Sequence, residues 1–372
     1  MTDLNKEIEK ARHNIRTDGY AMSIGELASM YEDNELEIHP AFQRVFRWSE
    51  EQKSNFIESI FLGIPIPSIF VSQRQDGVWD LVDGLQRLST IFSFMNKLRE
   101  ENGEIREPFL PEATKYLPAL KGVQWEAEDS SNSLSNNLKL LFKRQKISVN
   151  IIERESDDEA KLELFQRLNT GGSTLTPQEV RNCLLIMLNN SAFDFIQDLT
   201  KYPSFQRTVL VTESKEEQAY YYELVLRFFI NRYASDEARS KHSDVHPYLN
   251  EETIRLFDAN SSFDYIKEKK VFHETFDNIA IALDEDAFKK YKTEKSKYEG
   301  GFSLPVFEAL STSVSFLVDS SLDESLIRTI IVNKSKELVE NDDFKRSYSS
   351  RLRPIDRTKR MVNIGRSLFC ED

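Results

Sequence analysis

The sequence predicts an α+β protein, a small α/β core to about residue 190 followed by a mostly α-helical part. Three observations carry that expectation. Short runs of strand character fall in the first half, at residues 68–72, 78–82 and Lys146–Ile152. The first two are joined by Gln75-Asp76-Gly77, a hairpin turn. Beyond residue 190 the apolar spacing is helical almost throughout, with candidate helices at 215–233, 263–283, 304–317 and 324–340. The expected division is 1–190 for the core and 191–372 for the helical part, without internal repeats.

Taken in order, a first helix is expected over 23–31, with Ile24, Leu27, Ala28 and Met30 as its apolar side, then a short strand at 36–38. Ser49 with Gln52 three residues on forms a capping box for the next helix. Phe56, Ile57, Ile60 and Phe61 are its buried face, Gly63 stops it, and Pro65 and Pro67 force an extended exit. Asp83-Gly84 closes the second strand of the hairpin. Leu85, Leu88, Phe92 and Met95 then form the stripe of a new helix, leaving Gln86 and Arg87 off it in the first turn. Residues 100–135, rich in Pro, Glu, Ser and Asn, read as a long excursion that serves as a lid. Residues 157–168 read as a helix and 169–174 as a loop. Thr176-Pro177-Gln178-Glu179 is a second capping box with proline in the first turn.

Composition narrows the function classes. The 372 residues include 40% hydrophobic and 30% charged residues, enough for a core and against wholesale disorder. Phe is the commonest aromatic, with 25 copies, so the core should be aromatic-rich. Two cysteines, Cys183 and Cys370, give neither a disulfide framework nor a CxxC zinc pair. His242 and His246 share i,i+4 spacing, but Pro247 follows, so a surface loop is expected rather than a metal site. The first ten residues are polar, without a secretory apolar region, and the longest apolar stretch is broken by Gly63, Pro65 and Pro67. A cytoplasmic protein without a membrane partner is expected. The net charge of -13 argues against nucleic acid wrapping the whole surface. It hides a basic stretch, however: Lys345, Arg346, Arg351, Arg353, Arg357, Lys359, Arg360 and Arg366 accompany a single acid, Asp356.

Three segments combine a polar or glycine-containing turn, a helix start and arginine. A strand ending in Asp83-Gly84 and feeding a helix presents backbone N–H groups and a dipole that attract anions. Gly84 permits close approach. Arg87 can fork onto a phosphate, and Asp83 can hold Mg²⁺ or orient a water. The loop Asn169, Gly171, Gly172, flanked by Arg167 and Arg181, has the makings of an anion-binding concavity. Phe42, with Gln43, Arg44 and Arg47 around it, can stack on a base while Arg44 meets phosphate. Each segment has a plainer reading as well: a helix cap with its ion-pair partner, a connector, and an aromatic anchor. There is no Walker A sequence, GxSxG or HExxH.

The blocks Pro40-Ala41-Phe42-Gln43-Arg44, Trp48, Gln52, Ser59-Ile60, Gly63-Ile64-Pro65-Ile66-Pro67 and Asp83-Gly84-Leu85-Gln86-Arg87 resemble the N-terminal domain family of GmrSD-type restriction endonucleases. So do Phe165-Gln166-Arg167-Leu168-Asn169-Thr170-Gly171-Gly172, Leu175-Thr176 and Glu179-Val180-Arg181-Asn182. The resemblance implies a ParB/sulfiredoxin-like core, an Asp-Gly-Gln-Gln-Arg motif linked to nucleoside triphosphate hydrolysis, and a role in bacterial antiphage defence. It casts Asp83, Gln86 and Arg87 as catalytic, with Gly84, Gln43 and Arg44 completing the nucleotide pocket or touching DNA. Leu85 replaces the first Gln of the motif, and no C-terminal HNH nuclease half is recognisable.

The leading expectation is therefore a nucleotide-binding sensor or regulatory subunit of a restriction system. It would use Mg²⁺ and a nucleoside triphosphate, and hydrolysis is an open question. DNA and a separate nuclease subunit are the expected partners, and self-association is left open. The first alternative is a non-enzymatic DNA-binding module in which Arg351, Arg353, Arg357 and Arg360 add affinity, or else form a solvated helix face. The second is a metal-dependent nuclease using Asp83 with Asp80, or Glu153 with Asp157.

Overall fold

The computed structural model describes residue 4 and residues 16–38, 48–100, 102–127, 132–154, 176–212, 219–258, 260–320, 322–347 and 352–370. The chain divides into two compact units, Met1–Thr174 and Leu175–Asp372.

The first unit is an α/β layer. Its elements are β1 (Thr17–Ser23), α1 (Ile24–Glu32), β2 (Leu36–Glu37), α2 (Glu50–Phe61), β3 (Ile69–Gln73), β4 (Trp79–Asp83), α3 (Leu85–Phe94), α4 (Asn136–Arg144) and β5 (Lys146–Ile152). The five strands form one mixed sheet in the order β1-β5-β3-β4-β2. β1 with β5 and β3 with β4 run antiparallel, whereas β3 with β5 and β2 with β4 run parallel. Ser49 caps α2 through the expected capping box. Ile69, Val71, Val149, Leu88, Ile91 and Phe92 are buried together in the core. Phe61, Phe94, Trp125 and Phe142 contact one another within it, in tilted and edge-on geometries that suit aromatic quadrupoles.

Two features of this unit depart from expectation. β1 and α4 are additional elements. The stretch read as a lid is built into the core, because Phe109, Leu120, Trp125 and Leu134 are buried there. The strap is also pinned to α2: Glu58 accepts the N–H groups of Tyr116 and Leu117 at 2.8 and 2.9 Å, and Ser54 accepts that of Glu112 at 2.8 Å. A segment with four buried anchors and a buried carboxylate clasp is a fixed part of the layer.

The second unit is helical: α5 (Pro177–Leu188), α6 (Asn190–Thr200), α7 (Pro203–Thr208), α8 (Tyr220–Tyr233), α9 (Asp236–Ser240), α10 (Val245–Phe257) and α11 (Tyr265–Leu283). A small hairpin, β6 (Lys290–Lys292) and β7 (Lys297–Glu299), follows. The remaining helices are α12 (Leu304–Val318), α13 (Glu324–Glu340), α14 (Asp342–Arg346) and α15 (Pro354–Cys370). Its core is also aromatic, with Phe205, Phe228, Phe229, Phe272 and Phe276 buried in mutual contact. α15 crosses α12 closely at Gly365, where a Cβ would stand 2.5 Å from the Ala309 carbonyl. Of the loop expected around His242 and His246, His242 lies in the connection between α9 and α10, whereas His246 is in the first turn of α10. Asp244 caps it, and Pro247 sits in the first turn, where no intrahelical N–H is needed. The helix expected over 157–168 lies outside the described residues. Among the described residues no helix is long and apolar enough to cross a membrane.

Candidate functional site

The β4–α3 junction is built by one glycine and one bulge. Opposite β3, the pairing shifts from Val71↔Leu81 to Phe70↔Asp83, so β4 holds an extra residue just before its end. Such a bulge re-aims the side chain that follows it, here Asp83. Gly84 then adopts φ 104°, a left-handed conformation, and begins α3. A Cβ there would meet Ile69 Cγ2 at 2.4 Å, so the helix approaches β3 more closely than any side chain permits. Gly84 stands at the cap position, where it has no side chain to offer the first-turn N–H groups as Ser or Asp does elsewhere. Leu85 packs against the core, in keeping with its place on the apolar stripe.

Arg87 is held in place. Its guanidinium donates to Asp83 Oδ2 and to the Ser68 carbonyl, both at 2.7 Å. Its side chain is 13% exposed, that of Asp83 43%. The ion pair of the plainer reading thus exists, but it stands open to solvent on the carboxylate side. Gln86 Oε1 accepts the Trp48 N–H at 3.4 Å. Phe42, Gln43, Arg44 and Arg47 lie outside the described residues, as do Arg167, Asn169, Gly171, Gly172 and Arg351. The residues bracketing the first group are Trp48, at Gln86, and Ile38, which follows the strand paired with β4.

Arg181 belongs to the second unit and faces inward. It is fully buried in α5, donating to Glu223 at 2.9 Å, Gln178 at 2.8 Å and Asn250 at 3.4 Å. Burial pulls its guanidinium down to about 10, against the opposing charge of Glu223. Glu223 also takes Arg227 at 2.8 Å, and Arg227 reaches Glu308 at 2.8 Å, which accepts the Thr358 hydroxyl at 3.0 Å. Despite its burial, Glu223 is held below the usual carboxylate range by Arg227 and Arg181, while burial pushes Glu308 up. Sequence reasoning did not find this chain of alternating charges, because its members are far apart in sequence. Of the expected DNA contacts, Arg353 pairs with Asp356 at 2.7 Å, Arg357 donates to the Ser347 carbonyl at 3.2 Å, and Arg360 is exposed.

Among the described residues no group of three His, Cys, Asp or Glu side chains could hold a metal ion. Asp80, the carboxylate offered alongside Asp83, is buried and bridged by Arg74 at 2.5 and 2.6 Å, and Asp157 lies outside the described residues. Asp83 stands at the α3 junction as a single half-exposed carboxylate.

The model of the GmrSD restriction endonuclease N-terminal domain matches residues 24–186. Neither the curated proteins nor the solved structures give a match.

Proposed function

We propose that the chain, whose residues 24–186 match the model of the GmrSD restriction endonuclease N-terminal domain, serves a phage-defence restriction system as a nucleotide-binding sensor or regulatory subunit. The observation that supports this most is the α3 N-terminus. It is opened by a left-handed Gly84 and flanked by the half-exposed Asp83 that Arg87 orients. Helix N-termini favour phosphate through their backbone N–H groups and dipole.

In this reading the phosphates lie over the first turn of α3. Arg87 keeps the Asp83 carboxylate turned toward them and adds positive charge. Asp83 would hold Mg²⁺, which would supply positive charge to the phosphates when bound. Asp83 is also the group that orients a water for triphosphate hydrolysis, if the site hydrolyses its ligand. Gln86 fixes Trp48 and so the end of the segment carrying Gln43 and Arg44. DNA and a separate nuclease subunit are the proposed partners.

The test is phosphate release from each of the four nucleoside triphosphates with Mg²⁺, with and without DNA, for the wild type and Asp83→Ala. Release abolished by the substitution makes the protein a hydrolase at this site. Binding without release makes the nucleotide a switch. Binding and release that survive both Asp83→Ala and Arg87→Ala would refute the assignment.

A further inference from the structure

One helix of the first unit has almost no inward face. On α4, Phe142 is the single buried residue, whereas Leu138, Leu140 and Leu141 are 43–46% exposed. A surface helix normally turns its leucines to the core, and nine residues are too few to hold a helix in water without packing. Lys139 and Lys143, four residues apart, share the flank that lies over Trp125, each 5.8 Å from its ring. Helical geometry puts Leu138 and Leu141 on the opposite flank, and Leu140 with Arg144 on the side turned away from Phe142. The end of α2 adjoins this helix, because Phe61 meets Phe142 at 5.2 Å. Leu62 and Ile64 follow Phe61 directly and are 44 and 47% exposed. Apolar side chains gathered in the open mark a contact made outside the chain.

The charge of the same region narrows what makes that contact. Between Asp129 and Glu153 there is no acidic residue, but there are four basic ones, Lys139, Lys143, Arg144 and Lys146, in a chain of net charge -13. Lys139 pairs with Glu126 at 3.3 Å. Arg144 and Lys146 are exposed and have no carboxylate partner among the described residues. DNA would use these cations and leave the leucines against phosphate and water. The α4 of a second copy would set like charges against each other. An anionic bilayer is an extended surface that would also face the acidic remainder of the chain. A single helix stays within the distance of about 8 Å over which charges act at physiological salt.

We propose that α4 and the exit of α2 form the docking face for an acidic amphipathic helix of a partner protein. Its apolar stripe lies on Leu138, Leu141, Leu62 and Ile64, and its carboxylates meet Arg144 and Lys146. The α3 junction is no part of this face, so the inference does not depend on the nucleotide site.

The test uses the full chain and a fluorescein-labelled synthetic helix of about four turns, with leucine at i, i+3 and i+4 spacing and glutamate elsewhere. Fluorescence anisotropy should show binding that weakens as salt rises. Affinity should fall at least about tenfold in Leu138→Gln/Leu141→Gln and again in Arg144→Glu/Lys146→Glu. All four side chains are exposed, and an unmoved thermal transition checks that each variant is folded. The same peptide with lysine in place of glutamate should not bind. No binding of the acidic peptide, or equal binding by the variants, overturns the proposal. So does tighter binding to phosphatidylglycerol vesicles that both variants lose, which would make the face a bilayer contact. A dimer in sedimentation velocity that the leucine variant splits would overturn it too, by making the face an interface between copies.

Discussion

Arg87 and Arg181 occupy matching places in the sequence, each in the first turns of a helix that follows a glycine-containing turn, yet the two units use them in opposite ways. Arg87 pairs with a carboxylate that keeps 43% of its side chain exposed. Arg181 pairs with Glu223 at full burial and passes its charge on to Arg227 and Glu308. An ion pair at the surface can exchange partners with a ligand at small cost. One in the interior cannot, because separating it strands a charge in a poorly polarisable medium. The difference suggests where chemistry is to be sought and where architecture is.

The largest effect that sharpens this contrast is expected from Glu223→Ala. It removes the common partner of Arg181 and Arg227 and should cost about 3–5 kcal/mol in urea unfolding. A loss below about 1 kcal/mol would mean that the chain of charges is not held as described. Next is Gly84→Ala. Left-handed backbone costs about 1–3 kcal/mol in a non-glycine residue. The clash with Ile69 adds about 1–3 kcal/mol. Unchanged unfolding would show that the junction relaxes freely. Arg87→Ala should cost about 1 kcal/mol or less, since its partner is half exposed, while removing nucleotide affinity. A large stability loss would place Arg87 with Arg181 as architecture.

The smallest effect concerns pH. The His246 Nδ1 is buried without a partner, and burial, assisted by Arg181, lowers the imidazole below its ordinary 6.5. A lowered histidine favours folding fully above 6.5, and that contribution falls away as pH drops through the folded-state value. His246→Gln should flatten the stability profile on the acid side of 6.5, as followed by urea midpoints. An unchanged slope would exclude His246 as its source.

Much of this was legible in the sequence. β5 and α13 lie where strand alternation and helical spacing put them. The Asp83-Gly84 junction was visible because strand, glycine and helix start are contiguous. β1 was not, since Met22 is its one buried residue and an exposed edge strand carries no apolar alternation. α4 buries Phe142 alone, and the anchors of the 100–135 strap are isolated, so neither has a period to read. The inward turn of Arg181 depends on Glu223 from α8, a contact across the fold that local sequence does not encode.

The most direct test of the central claim is a binding titration of a nucleoside triphosphate with Mg²⁺ against the wild type, Arg87→Ala and Arg181→Lys, each checked by its thermal transition. The account predicts that Arg87→Ala loses binding with its transition nearly unmoved, and that Arg181→Lys keeps binding while its transition falls. Binding retained by Arg87→Ala and lost by a still-folded Arg181→Lys would contradict it.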